Sequence, residues 1–135
     1  MAEIKIFNPD GLAKPAGTYS HIARAKTQEV AFIAGQVSAD ASGATVGKGD
    51  FEAQCAQVYA NIHSALRALG ADWRNVVQFT SFLVRPQDAA AFRAYRGREF
   101  PKMFPGGAYP PNTLLIISRL ADENYLLEVQ TIAAL

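Results

Sequence analysis

Glu128 lies in a run of aliphatic and β-branched residues, Leu126-Leu127-Glu128-Val129-Gln130-Thr131-Ile132, where a carboxylate can do acid/base chemistry. In an extended segment alternate side chains share a face. Leu126, Glu128, Gln130 and Ile132 therefore point one way, and Leu127, Val129, Thr131 and Ala133 the other. If the first face meets a cleft between subunits, a carboxylate shielded from bulk water is a candidate general acid/base. The plainer role is a structural hydrogen bond or ion pair between subunits.

Other chemistries lack their signatures. His21 and His63 stand on different elements with no second His or Cys at ligand spacing, so no metal site is indicated. The serines lack a nucleophile-elbow motif, and Cys55 falls on the apolar stripe of a helix, where it acts as a small core residue. Gly47-Lys48-Gly49-Asp50 lacks the glycine spacing and following Ser or Thr of a phosphate-binding loop. A formal net charge of +1 with scattered arginines gives no basic stripe for nucleic acid.

The elements that must hold Glu128 can be read from pattern. Glu3–Phe7 alternates and ends at the turn Asn8-Pro9-Asp10-Gly11. Residues 19–26 and 29–34 are also extended, with Gly35 marking a bulge or close backbone approach. Residues 38–49 form a long polar loop. After the cap Asp50, Phe51, Cys55, Val58, Ile62, Leu66 and Leu69 form one helical stripe closed by Gly70, with Gln54 off it. Val76–Val84 is an apolar, central strand. Asp88 caps a second helix that Pro101 stops, and its Arg93, Arg96 and Arg98 suit the negative end of the helix dipole. Leu114–Ile117 and the segment from Leu126 onward, joined by a polar tetrapeptide, read as a β-hairpin.

The resulting order is βββαβαββ, one α+β domain over residues 1–135, with both helices on one face of a mixed sheet of five or six strands. Half the residues are hydrophobic and 19% charged. No run approaches the ~18 apolar residues needed to cross a membrane, and a single cysteine fits a reducing compartment. A cytoplasmic protein is expected. The central strands are apolar in both directions while only one face has helices to cover it, so another copy of the chain should cover the second face.

Several segments together resemble the Rid/YjgF family (RidA-like), also labelled endoribonuclease L-PSP. They are Asn8-Pro9, residues 15–21, Phe32-Ile33-Ala34-Gly35-Gln36-Val37, Asn61-Ile62, Ser118-Arg119-Leu120 and Leu127–Ala133. The resemblance covers nearly the whole chain. It implies a chorismate-mutase-like fold and a homotrimer whose sheets surround a central barrel, with small-molecule clefts between subunits. It also implies hydrolysis of enamines or imines such as 2-aminoacrylate without cofactor. Tyr19, Gly35, Gln36 and Glu128 match the family's site. Asn112 stands where the family has an arginine that grips the substrate carboxylate. Ala34 replaces a serine, Leu114 a small or sulfur-bearing residue, and Phe92 aligns with an asparagine. These departures imply a less polar surface and little activity on 2-aminoacrylate, unless Arg24, Arg96 or Arg98 of a neighbouring subunit restores the charge.

Three functions follow as alternatives. The first is an enamine or imine hydrolase in which Glu128 activates water, Tyr19 walls the pocket and Asn112 hydrogen-bonds a carbonyl or amide. The second is a trimer that binds a small molecule without turnover. The third is the ribonuclease of the family label.

Overall fold

In a computed structural model describing residues 1–135, the long apolar stripe forms α1, Phe51–Ala68. Asp50 begins it by accepting from the Ala53 amide at 3.0 Å, a cap of the kind that contributes about 1 kcal/mol. Gly70, at φ 68°, takes the left-handed conformation that ends it. Around α1 the chain runs β1 (Glu3–Phe7), β2 (Ile22–Lys26) and β3 (Val30–Gln36) before it. After it come a 3-10 turn (Trp73–Asn75), β4 (Val76–Leu83), α2 (Asp88–Met103), β5 (Asn112–Ile116) and β6 (Leu127–Ala134).

The strands form two sheets rather than one of five or six. β1 and β2 pair with each other, and the main sheet has four strands in the order β3-β6-β4-β5. The expected hairpin is absent. β5 lies parallel to β4, which the intervening α2 makes possible as a crossover, and β6 is antiparallel to both β3 and β4. Residues 117–126 carry the chain across β4. Their path is fixed by the Ile117 amide on the Leu83 carbonyl and by Arg119, which donates to the carbonyls of Leu120 and Ala121.

Gln54 shows why β6 begins where it does. Although off the apolar stripe, it is fully buried. Its amide donates to the carbonyls of Gly47 and Asn124 and accepts from the Leu126 amide at 2.9 Å, tying α1 to the start of β6.

Both helices cover one face of the main sheet. Phe79 of β4 packs edge-on against Tyr59 of α1 and lies 5.8 Å from Phe100 of α2, measured between ring centres. Beneath them Leu127, Val129 and Ala133 are fully buried, the face assigned from their alternation. Two expectations for α2 are corrected. Asp88 is its first residue rather than its cap, held by a two-pronged Arg85 contact. Pro101 lies inside the last turn because the buried Phe100 and Phe104 hold that turn against the sheet. No helix is long and apolar enough to cross a membrane.

The opposite face has no covering element. Register places Phe32, Ile132 and Gln78 in one row, Gln130, Thr80 and Thr113 in the next, and Glu128, Phe82 and Leu115 in a third. Phe32 is 76% exposed, and Val30 and Leu115 are also exposed. Burying a side chain of this kind is worth about 1.5–3 kcal/mol, so this face favours association.

Candidate functional site

Glu128 projects from β6 on the uncovered face, partly exposed, beside the bulge in β3 between Ile33 and Gln36. The bulge is where its carboxylate finds room. A Cβ added to Gly35 would lie 1.9 Å from Glu128 Oε1 and 2.7 Å from its Cγ. Gly35 is therefore a place of close approach, and its lack of a side chain sets where the carboxylate rests. Gln36 donates to the Ala34 carbonyl at 3.1 Å. Asn61 of α1 fixes the strand's exit by donating to the carbonyls of Val37 and Ala39, while Gln57 donates to its oxygen. Asn61 thus has a structural reason to stand on α1 opposite the Gly35 segment.

The added methyl would meet Glu128 from Oε1 back to Cγ, but it meets side chain only and on a half-exposed face. Gly35→Ala is therefore expected to melt within a few degrees of the parent while turning the whole Glu128 side chain to another rotamer and displacing the carboxylate. Any activity that depends on Glu128 should fall. A variant with the parent's melting temperature and full activity would separate that activity from this placement.

Tyr19, Asn112 and Leu114 lie elsewhere. With Ala16, Gly17, Thr113, Arg93 and Arg96 they line a cleft of about 390 Å³ between β5, α2 and the loop before β2. Asn112 and Leu114 pair in register with Phe79 and Ser81 of the helix-covered face, so this cleft opens on the side of the sheet away from Glu128. His21 shapes its loop wall: its amide donates to Asn8 Oδ1, and its Nε2 lies 2.6 Å from the Ala13 carbonyl. Ser81 is buried and donates to Asn112 Oδ1 at 2.7 Å.

Two guanidinium groups border the place where Asn112 led us to expect a less polar surface. Arg93 is exposed. Arg96 is only 7% exposed and lies over the Phe92 ring, 4.3 Å from its centre. Phe92 is fully buried and contributes a floor under Arg96. The helix dipole does not account for a guanidinium held in this way. Burial pulls the Arg96 pKa below the usual arginine value. The signal was present in spacing: Phe92, Arg96 and Phe100 recur every four residues and share the buried stripe of α2.

The remaining titratable groups supply no rival centre. Burial raises the Cys55 thiol to about 12, which leaves it without the thiolate that a nucleophile requires. His63 stacks on Trp73. No three His, Cys, Asp or Glu side chains converge as metal ligands would. A recess of about 280 Å³ beneath Ile4 and Ile6 is mainly apolar, with Arg74 its one charged lining residue.

A family model described as endoribonuclease L-PSP matches residues 11–135. A RutC family protein of Synechocystis sp. is 31% identical over 133 residues, covering 98% of this chain and 97% of the relative. A second RutC family protein, of Pyrococcus horikoshii, is 32% identical over 120 residues and covers 89% of each chain. Among solved structures, a Rid-family protein of unknown function from Yersinia pestis superposes with a TM-score of 0.87 at 30% identity, covering 98% of both chains. The fold, its two helices on a mixed sheet and its relatives agree, and the chain belongs to the endoribonuclease L-PSP family, which also carries the Rid and YjgF names.

Proposed function

We propose that this protein hydrolyses a small enamine or imine at clefts between copies of the chain arranged as a trimer. One observation carries the reading. The side chains that match or replace the family's site divide into two incomplete halves on opposite faces of one sheet. Glu128, Gly35 and Ala34 form one half, and Tyr19, Asn112 and Leu114 the other, while Gln36, in register with Val129, turns toward the helix-covered face. Bringing the bare, partly apolar face of one copy against the cleft of the next would join them.

In the joined site Tyr19 walls the substrate, and Asn112 offers its NH₂ because Ser81 holds its oxygen. Glu128 takes a proton from water as that water adds to the imine carbon. It returns that proton to the nitrogen, giving a carbinolamine, and then carries the hydroxyl proton to the amino nitrogen, so that the C–N bond breaks, ammonia departs and the C–O bond becomes a carbonyl. An enamine first gains a proton at carbon to become the imine, for which the same carboxyl group can act as acid. None of these steps calls on a cofactor.

The test is ammonia release from a panel of enamines and imines generated in situ by amino-acid oxidising and dehydrating enzymes. The expected result is faster release of ammonia with the ketone or ketoacid formed in equal amount. If no member of the panel is accelerated over buffer, the enzyme reading fails and a binding role takes its place.

A further inference from the structure

We infer that the Tyr19–Asn112 cleft is an anion site in which Arg96, an α2 residue outside the family positions matched above, grips a carboxylate of the ligand. The inference rests on the proposed function only for where the reacting end of the ligand lies. The grip itself is built within one chain.

Arg96 is a buried cation without a counter-charge. Its Nε is sealed from solvent and has no hydrogen-bond partner. The carboxylates on and beside α2 are engaged elsewhere: Asp88 with Arg85, Glu52 with Arg98 and Glu99 with Lys102. The titratable groups that bear on Arg96 are Tyr59, Arg93, Cys55 and Tyr19, none of them a carboxylate. A guanidinium held largely out of water, with its Nε–H unpaired and no counter-charge, is unfavourable. The stack on Phe92 offsets part of that cost and also fixes the plane of the fork.

The rest of the cleft is arranged for the same ligand. Arginine carries five N–H donors and no acceptor. Asn112 Oδ1 is taken by Ser81, so its NH₂ is the end left for a ligand. Arg93 adds a second positive charge at the exposed rim. Among the side chains lining the cleft only the Tyr19 and Thr113 hydroxyls are left to accept, beside backbone carbonyls. The ligand that suits them is a compact, acceptor-rich anion, whereas an amide or amine of the same shape would waste the donors or meet like charge. A single buried fork beside Leu114 and Ala16 fits a planar carboxylate on a small body better than a phosphate dianion.

Calorimetric titration of the full-length protein at low ionic strength tests this, with propionate, propionamide and inorganic phosphate as probes. Propionate should bind at least about tenfold more tightly than propionamide and more tightly than phosphate. Arg96→Met should abolish the preference for propionate, Arg96→Lys should retain part of it, and Arg93→Ala should weaken it less than Arg96→Met does. Glu128→Gln should leave it intact, which separates a failure here from a failure of the hydrolytic reading. Equal binding of propionate and propionamide, tighter binding of phosphate, no propionate binding, or a preference that survives Arg96→Met would each overturn the inference. If Arg96→Met does not fold, the wild-type comparison and Arg96→Lys decide the matter.

Discussion

Replacing Glu128 with glutamine is expected to lower turnover of an enamine or imine by about a hundredfold or more, with ligand affinity nearly unchanged. Glutamine keeps the size and the hydrogen-bonding oxygen of the side chain, so the space opposite Gly35 stays filled. It cannot accept a proton from water or carry one to the leaving nitrogen. The informative comparison is kcat against binding measured separately. A loss in kcat with binding preserved assigns the proton transfer to this group. An unchanged kcat would return Glu128 to a structural role between subunits.

The second large effect concerns assembly. Phe32→Asp is expected to convert the protein from an oligomer to a species near the 14.6 kDa chain mass in sedimentation velocity. The side chain is 76% exposed within one chain, so the substitution should leave the fold's circular dichroism intact. Placed in a seam between copies, however, the aspartate would lose its water without gaining a partner. A penalty of several kcal/mol is enough to weaken association by orders of magnitude. Turnover should vanish with the oligomer, since Glu128 and the Tyr19–Asn112 cleft cannot meet within a single chain. If the parent protein itself sediments as a monomer at micromolar concentration, or the variant assembles as the parent does, the idea of a site shared between copies is wrong.

Much of this arrangement was legible because simple periodicities govern it. The α1 stripe, its Asp50 cap and Gly70 follow local rules, and the two-residue alternation of β6 correctly separated Glu128 from the buried Leu127 and Val129. The pairing of β5 was not legible in that way. Alternation says which side chains share a face but not which strand lies next door, and adjacency in sequence favoured a hairpin. The α2 crossover instead sets β5 beside β4. Gln54, placed off the apolar stripe, and Arg96, ascribed to the helix dipole, are both buried, which neither reading contains. Three hydrogen bonds bury Gln54, whereas Arg96 rests on Phe92 with its Nε unpaired. Whether a buried polar group is satisfied depends on contacts distant in sequence, which no local pattern contains. The same limit applies to Asn112, where a replacement charge is sought in a neighbouring subunit although α2 of the same chain brings Arg93 and Arg96 to its cleft.

The place of β6 also bears on how the molecule comes into being. It is the last strand of the main sheet to be synthesised, yet it separates β3 from β4 and hydrogen-bonds to both. A nascent chain halted on the ribosome before residue 124 would have β3 without a neighbour and α1 without the Asn124 and Leu126 partners of Gln54. The sheet can close only once that late segment has emerged, through contacts far apart along the chain, a topology that folds slowly and is exposed to mispairing while it waits.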